Sequence, residues 1–439
     1  MAHITFADGS AGTAAATWGQ QAIWDVVRTL GSDAARYNVS VCLPVDGMPV
    51  PAVLDALRQL CYLHDSLRTR LLCDDAGQLI QIVDPAGTMS VPVRECAADD
   101  VESVGAALLA ELADRPFDCA REWGMRVGLV ESAGLVRRIA FSLSHTAVDA
   151  WGLVRLAMNL TSIAQGESGA QVMAARPSMQ PLAEAAFQAS DRGRRLDANA
   201  RRHWRTKLDL GPRRLFPPGG AASEMFPNAQ FNSPALAVAA ERVAAGYQVS
   251  SSSVLLAAAA SMTSQLSGSP DVVFQIVVNN RFLPGLTNAV STLAQEGLFH
   301  VVDAHLDFAD VIRRTHKTSL STYRNSYYDR RLLLADIEAA GETADHSCFV
   351  NDTRSLMPTD RHAPTESLAK LRSRTTLRWP IEFEPRRNVT FAMDLIDVPD
   401  SIELSMTADS ALVPKPDMER FLCGIEDLVI EAAIAIGAE

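Results

Sequence analysis

Over residues 134–164 the hydrophobic period changes once, from two to about 3.6 residues, and a histidine and an aspartate sit where it changes. Ile139, Phe141 and Leu143 alternate along Gly134-Leu-Val-Arg-Arg-Ile-Ala-Phe-Ser-Leu-Ser-His145, the pattern of a strand with one buried face. Continuing that alternation puts His145 on the apolar face and Ser144 on the other. Leu153, Leu156, Leu160 and Ile163 then recur at helical spacing through 151–164. The segment predicts strand, His145, short loop, Asp149, helix, and so commits the chain to a mixed α/β (α+β) fold.

Two readings of this segment stand side by side. A histidine at the end of a buried strand is held rigidly and partly shielded from water, where a neutral imidazole can accept a proton. A single buried histidine is more commonly a core residue bonded to backbone. Asp149 sits where a helix N-cap belongs, and capping accounts for it without chemistry. No other segment offers a site. The sequence lacks a G-x-S-x-G elbow, a P-loop, a G-x-G-x-x-G turn, an H-E-x-x-H helix and an EF-hand loop.

The 439 residues are too many for one core. The stretch 165–180, rich in Gly, Ser, Gln and Pro, reads as a hinge, dividing the chain into 1–172, which carries His145, and 173–439. The two parts repeat one grammar of helix, strands and closing helix. Residues 17–30, 50–61 and 101–112 read as helices, and 72–83 and 134–143 as strands. Beyond the hinge, one helix is expected over 183–208, a loop over 216–220, and a Ser-capped helix over 250–265. A two-sided strand over 272–278, a hairpin of 388–396 with 401–407 around Pro399-Asp400, and a terminal helix over 418–436 complete the pattern.

A net charge of −12 opposes phosphate binding and so excludes a nucleic-acid protein. Seven scattered cysteines without a C-x-x-C pair suggest neither zinc nor a redox motif, and read as reduced thiols. The first eight residues show no secretory signal, and the small-apolar stretch 254–260 is far too short to span a bilayer. No membrane partner is expected, and the expected location is cytoplasmic.

Ser144-His-Thr-Ala-Val-Asp-Ala-Trp151 resembles the H-H-x-x-x-D-G-W motif of the condensation domains of nonribosomal peptide synthetases, relatives of chloramphenicol acetyltransferase. Other motifs follow in the family's order: Thr17-Trp-Gly-Gln-Gln-Ala-Ile-Trp24, His64-Asp-Ser-Leu-Arg-Thr-Arg70, and Arg115-Pro-Phe-Asp118 with Met125-Arg126. His203-Trp204 with Leu208, and Asn280-Arg281, come next; together they cover nearly the whole chain. The resemblance implies two acetyltransferase-like lobes in a V-shaped pseudodimer with a central tunnel. It implies a monomer without a cofactor of its own, with substrate delivered on phosphopantetheine by an acyl or peptidyl carrier protein in trans, or as a coenzyme-A thioester. The acceptor would be a small amine or alcohol.

By motif position, His145 would be the catalytic base or positioning group. Asp149 would be structural, paired with Arg281 from the other lobe. Backbone N–H groups at Ala150 and Trp151 would face the oxyanion, and Ser144, Ser291 and Gln295 would line the tunnel. The chain departs from the family at Ser144, where a first His is usual, at Ala150, where Gly is usual, and at Gln295 in Val290-Ser-Thr-Leu-Ala-Gln-Glu-Gly297, where Asn is usual.

The resemblance makes the chain a free-standing amide- or ester-forming acyltransferase of antibiotic and other secondary-metabolite biosynthesis. The departures favour the alternative, a non-catalytic recruitment module on an assembly line. Arg192, Arg194, Arg195, Arg201, Arg202, Arg205 and Lys207 offer a candidate basic patch for an acidic carrier, although a solvated helix face is the commoner explanation of such a run.

Overall fold

The computed structural model describes residues 1–216, 225–341, 347–356, 366–385 and 389–437. Residues 217–220 of the expected loop and Asn388 of the expected hairpin lie outside the described residues. The chain forms two compact units. The first is Met1–Arg195 with Asn279–Ala294 and Asp329–Arg331; the second is Leu196–Val278 with Gln295–Tyr328 and Leu332–Glu439.

The first unit runs β1 (Ala2–Phe6), β2 (Gly12–Ala15), α1 (Trp18–Val27), β3 (Val39–Met48), α2 (Val50–Leu63), β4 (Thr69–Cys73), β5 (Leu79–Val83), β6 (Gly87–Val91) and β7 (Val93–Glu95). It continues through α3 (Val101–Ala113), β8 (Met125–Ser132), β9 (Leu135–Leu143), α4 (Ala150–Ala164), α5 (Gly169–Ala175) and α6 (Pro181–Ala189). Strands β3-β9-β8-β7 form one sheet, in which β9 is an inner strand; Leu143 faces Val39 on one side and Met125 on the other. The predicted alternation is what buries this sheet. Ile139, Phe141 and Leu143 join Leu57 and Leu60 of α2 and Leu156 and Leu160 of α4 in a single apolar cluster.

The motif residues outside the His145 segment build this scaffold. Thr17 and Gln20 form a reciprocal capping box that starts α1. Arg68 is wholly buried, and its guanidinium donates to the carbonyls of Cys61, Ser10 and Asp84 and pairs with Asp65. Arg126 lies 3.8 Å from the Phe117 ring centroid and donates to the carbonyls of Leu112, Arg115 and Pro116, which explains the Arg115-Pro-Phe-Asp118 run.

Local chemistry accounts for three differences from the sequence reading. The strand expected over 72–83 is two strands, β4 and β5, paired antiparallel through a turn at Gly77, whose φ is +76°. The stretch 165–180 holds α5, started by a Ser168–Gln171 capping box. The helix expected over 183–208 is broken at Ser190, whose amide donates to Phe187 and whose hydroxyl accepts from the Gly193 amide, opening α7 (Asp191–Leu210).

The second unit contains most of α7, then β10 (Phe226–Ser233), α8 (Pro234–Tyr247), α9 (Ser251–Ser267), β11 (Val272–Val278), β12 (Gln295–Val301) and α10 (Phe308–Arg324). It ends with α11 (Arg330–Ala339), β13 (Cys348–Asp352), α12 (Leu368–Arg372), β14 (Thr376–Phe383), β15 (Phe391–Val398), β16 (Ser401–Ala408) and α13 (Lys415–Ala435). Its sheet has the order β12-β11-β13-β15-β16-β10-β14. β11 pairs antiparallel with β12 and parallel with β13, as its two-sided apolar sequence requires. The expected hairpin is β15–β16, closed at Pro399-Asp400 with Asp400 at φ 57°.

No single helix among the described residues is long and apolar enough to cross a membrane. Residues 254–260 lie in the core of the second unit. Among the described residues no disulfide joins any of the cysteines.

His64, at the end of α2, is buried, and Asn159 of α4 donates from Nδ2 to its Nε2 at 3.0 Å. Burial pushes its pKa from 6.5 down to about 3. An unfolded chain therefore takes up a proton that the folded chain refuses, and stability falls as pH drops from 6.5 towards 3. This histidine alone contributes a slope of up to about 1.4 kcal/mol per pH unit in that window. Urea unfolding at pH 6.5 and 4.5 is expected to show that slope in the wild type and a shallower one in His64→Gln; equal slopes would contradict the assignment.

Candidate active site

β9 ends at Leu143, so the strand alternation stops two residues short of His145. His145 lies on a turn over 145–147, and the turn, rather than the pleat, sets its direction. The turn is closed by the amides of Ala147 and Val148 donating to the Ser144 carbonyl at 2.9 and 3.2 Å, and it is tied by the Ser144 amide to the carbonyl of Gly124, just before β8, at 2.9 Å. Ser144, Thr146, Ala147 and Val148 are buried, whereas His145 is half-buried. Its Nδ1 is buried without a hydrogen-bond partner. The buried histidines His64 and His300 also have an unpartnered Nδ1, so what sets His145 apart is its partial exposure on the turn.

Asp149 is the N-cap of α4, as expected, and it does more than cap. Oδ1 accepts from the Gly152 amide at 2.7 Å and pairs with Arg281 Nη2 at 2.8 Å. Oδ2 accepts from Arg281 Nη1, the Leu293 amide and the Ala294 amide, each at 2.9 Å. Arg281 reaches on to the carbonyls of Ala289 and Ser291 at 3.1 and 3.0 Å. Asp149 and Arg281 are 1% and 6% exposed, a desolvated pair. Both carboxylate oxygens and both Nη groups are partnered, while Arg281 Nε is buried without a partner. Arg281, distant in sequence, belongs to the same compact unit as Asp149.

Residues 279–294 are thereby folded onto the first unit. Near the start of the segment Asn280 has φ 57°, in the left-handed region where Asn follows Gly in preference, and its side-chain Nδ2 donates to the Leu293 carbonyl at 2.9 Å. Ser66 of the His64–Arg70 motif donates to the Val290 carbonyl at 2.6 Å. On α1, Gly19 faces the Thr292 carbonyl so closely that a Cβ there would lie 1.9 Å from the oxygen.

The remaining expected site residues are placed as follows. Ala150 is the first residue of α4 with helical φ, so the position makes no demand for the left-handed conformation that Gly would supply. Trp151 follows it, half-buried. Ser291 is buried and donates from Oγ to Glu184 Oε2 at 3.4 Å. Gln295 opens β12 in the second unit, where its Nε2 donates to the Tyr328 carbonyl at 2.8 Å and its Oε1 accepts from the Tyr328 amide at 3.3 Å.

Of the basic run, Arg201 is held by Asp197 and Asp336, Arg194 by Asp191, and Lys207 is half-buried; Arg195, Arg202 and Arg205 are exposed. Among the described residues no group of three or more His, Cys, Asp or Glu side chains is arranged to hold a metal. Sequence reasoning missed Ser66, Cys119, Thr146 and Glu184. Cys119 and Glu184 lie far along the chain, and no period links them to the motif.

The family description that matches this sequence is the condensation domain, over residues 10–435. The chain belongs to the condensation-domain family. Such domains catalyse amide or ester bond formation in nonribosomal-peptide and polyketide assembly, on substrates carried by phosphopantetheine, without a cofactor of their own. A probable non-canonical nonribosomal peptide synthetase of Salinispora arenicola, CymA, is 31% identical over 147 residues, which is 33% of this chain. The aligned part spans only 2% of that relative's length.

Among solved structures, the fold is similar to a condensation domain that mediates chain release from the enacyloxin polyketide synthase. That match has TM-score 0.70 and 17% identity, covering 95% of this chain and 82% of the other. It is also similar to the epimerization domain from the third module of tyrocidine synthetase B, with TM-score 0.72 and 14% identity, covering 98% and 100%. At these identities the structures establish the fold, and one fold serves two reactions.

Two stability predictions follow from the geometry. Asp149→Ala strands Arg281 and two amides, and is expected to cost about 3–5 kcal/mol in denaturant unfolding; a loss below about 1 kcal/mol would mean the pair is dispensable. Gly19→Ala, normally favourable within a helix, is expected to lower the melting temperature because of the Thr292 carbonyl, at a cost of about 1–3 kcal/mol. An unchanged or raised melting temperature would contradict that contact.

Proposed function

We propose that the chain transfers an acyl group from a carrier-protein or coenzyme-A thioester to a small amine or alcohol, with His145 as general base or positioning group. The observation that carries the proposal is the half-buried His145 ring, set on a turn whose other residues are buried. In the reaction the acceptor N–H or O–H attacks the thioester carbonyl carbon. His145 takes the acceptor's proton as the C–N or C–O bond forms, the C–S bond breaks, and the thiolate leaves and is reprotonated. The Ala150 and Trp151 amides at the positive end of α4 would stabilise the oxyanion formed on the way.

Asp149 and Arg281 shape the site without touching substrate, and Ser144 and Ser291 support its walls in this reading. No carrier domain lies within these 439 residues, so the thioester comes from outside them, on an acyl or peptidyl carrier. Cytoplasmic action as a monomer fits such a supply.

Wild-type and His145→Ala proteins should be compared for transfer from carrier-loaded and coenzyme-A thioesters to amine and alcohol acceptors. The expected result is a fall in kcat of about 10²–10⁴-fold with a retained fold. Indistinguishable rates, or no transfer by either protein, would leave the recruitment module as the function.

A further inference from the structure

The turn that carries His145 is a polar knot whose side chains face inward, with one exception. Ser144 and Thr146 are each 5% exposed, while the histidine between them is half-buried. Their hydroxyls lie 2.7 Å apart, and the Thr146 amide donates to Ser144 Oγ at 3.3 Å. Cys119, from the segment ahead of β8, completes the knot. Its Sγ stands 3.8 Å from both hydroxyls and 3.8 Å from the Phe117 carbonyl. Burial pushes the Cys119 thiol up, against the opposing pull of the Thr146 and Ser144 hydroxyls, so it stays protonated and acts as a hydrogen-bonding group.

The floor beneath is equally constrained. Gly124 accepts from the Ser144 amide, and a Cβ at Gly124 would lie 2.5 Å from the Ala147 Cβ. A turn bonded on both sides of one residue leaves that residue a single outward direction. Nδ1 of His145 makes no hydrogen bond that would fix the ring.

We infer that Ser144, Thr146 and Cys119 form a buried clamp that fixes the direction in which His145 leaves the turn. They are positioning residues for the acyl transfer. The kinetic half of this inference rests on the proposed function; the geometric half does not. The clamp also accounts for the serine at 144. A hydroxyl reaches Thr146 and Cys119 at once, and an imidazole there would have to displace one of them, since both lie within 3.8 Å.

The ordinary explanation of such hydroxyls is local turn closure with no consequence for the histidine, and isosteric substitutions separate the two. Thr146→Val keeps the shape and removes the hydroxyl; Thr146→Ser keeps the hydroxyl and removes the methyl. With Ser144→Ala and Cys119→Ser, these variants are compared with wild type by thioester transfer kinetics and by the NMR signals of labelled histidine. The His145 signals are those missing from His145→Ala.

Thr146→Val and Ser144→Ala are expected to lower kcat about tenfold with KM within about twofold, and to shift or broaden the His145 signals. Thr146→Ser and Cys119→Ser are expected to keep both near wild type. His145 signals unchanged in Thr146→Val and Ser144→Ala, or Thr146→Val and Thr146→Ser behaving alike, would overturn the clamp. Should wild type and His145→Ala transfer equally, the functional reading fails while the His145 signals still decide the geometry.

Discussion

The carboxylate of Asp149 is the point to which the rest of the site is tied. Its two oxygens accept from five donors, on α4, on Arg281 and on the Leu293–Ala294 backbone. A buried carboxylate is costly unless its lone pairs are filled, so the arrangement is close to all-or-none. Once filled, it fixes the start of α4 and draws residues 279–294 onto the first unit from far along the sequence. The His145 turn lies between the end of β9 and this anchor, held at both ends.

The anchor also explains why departures from the family motif are compatible with the fold. Ala150 is harmless because α4 begins there with helical backbone. Asn280 stands where the family carries Gly, and the position needs the positive φ that Asn tolerates. Ser144 fills its place with a hydroxyl bonded to Thr146. In each case the substituted residue meets the backbone or hydrogen-bonding demand of its position, which preserves the scaffold around His145.

What was legible in the sequence depended on distance along the chain. β9, α4, α9, β11 and the β15–β16 hairpin were readable because their periodicity and turn residues are local. The paired role of Asp149 and Arg281 was readable only through the family motifs, since spacing alone gave Asp149 as a cap. The strand alternation that placed His145 on the apolar face stops before it, because hydrogen bonds to the Ser144 carbonyl and hydroxyl form a turn after the strand ends at Leu143. The break at Ser190 escaped because a serine inside an apolar helical pattern gives no warning that its hydroxyl will start a new helix. Cys119, Ser66 and Glu184 were invisible because only tertiary packing brings them to the site.

The central claim is that Asp149 holds residues 279–294 in place, and amide hydrogen exchange in wild type and Asp149→Asn tests it most directly. An asparagine keeps one carbonyl oxygen for the Gly152 amide but turns an N–H₂ group towards the donors that Oδ2 now serves. The account predicts strong protection of Gly152, Leu293 and Ala294 in the wild type. In Asp149→Asn, protection should be lost at Leu293 and Ala294 while the amides of β9 stay protected. If Leu293 and Ala294 exchange as slowly in the variant as in the wild type, the segment is held by other contacts and Asp149 is no more than a helix cap.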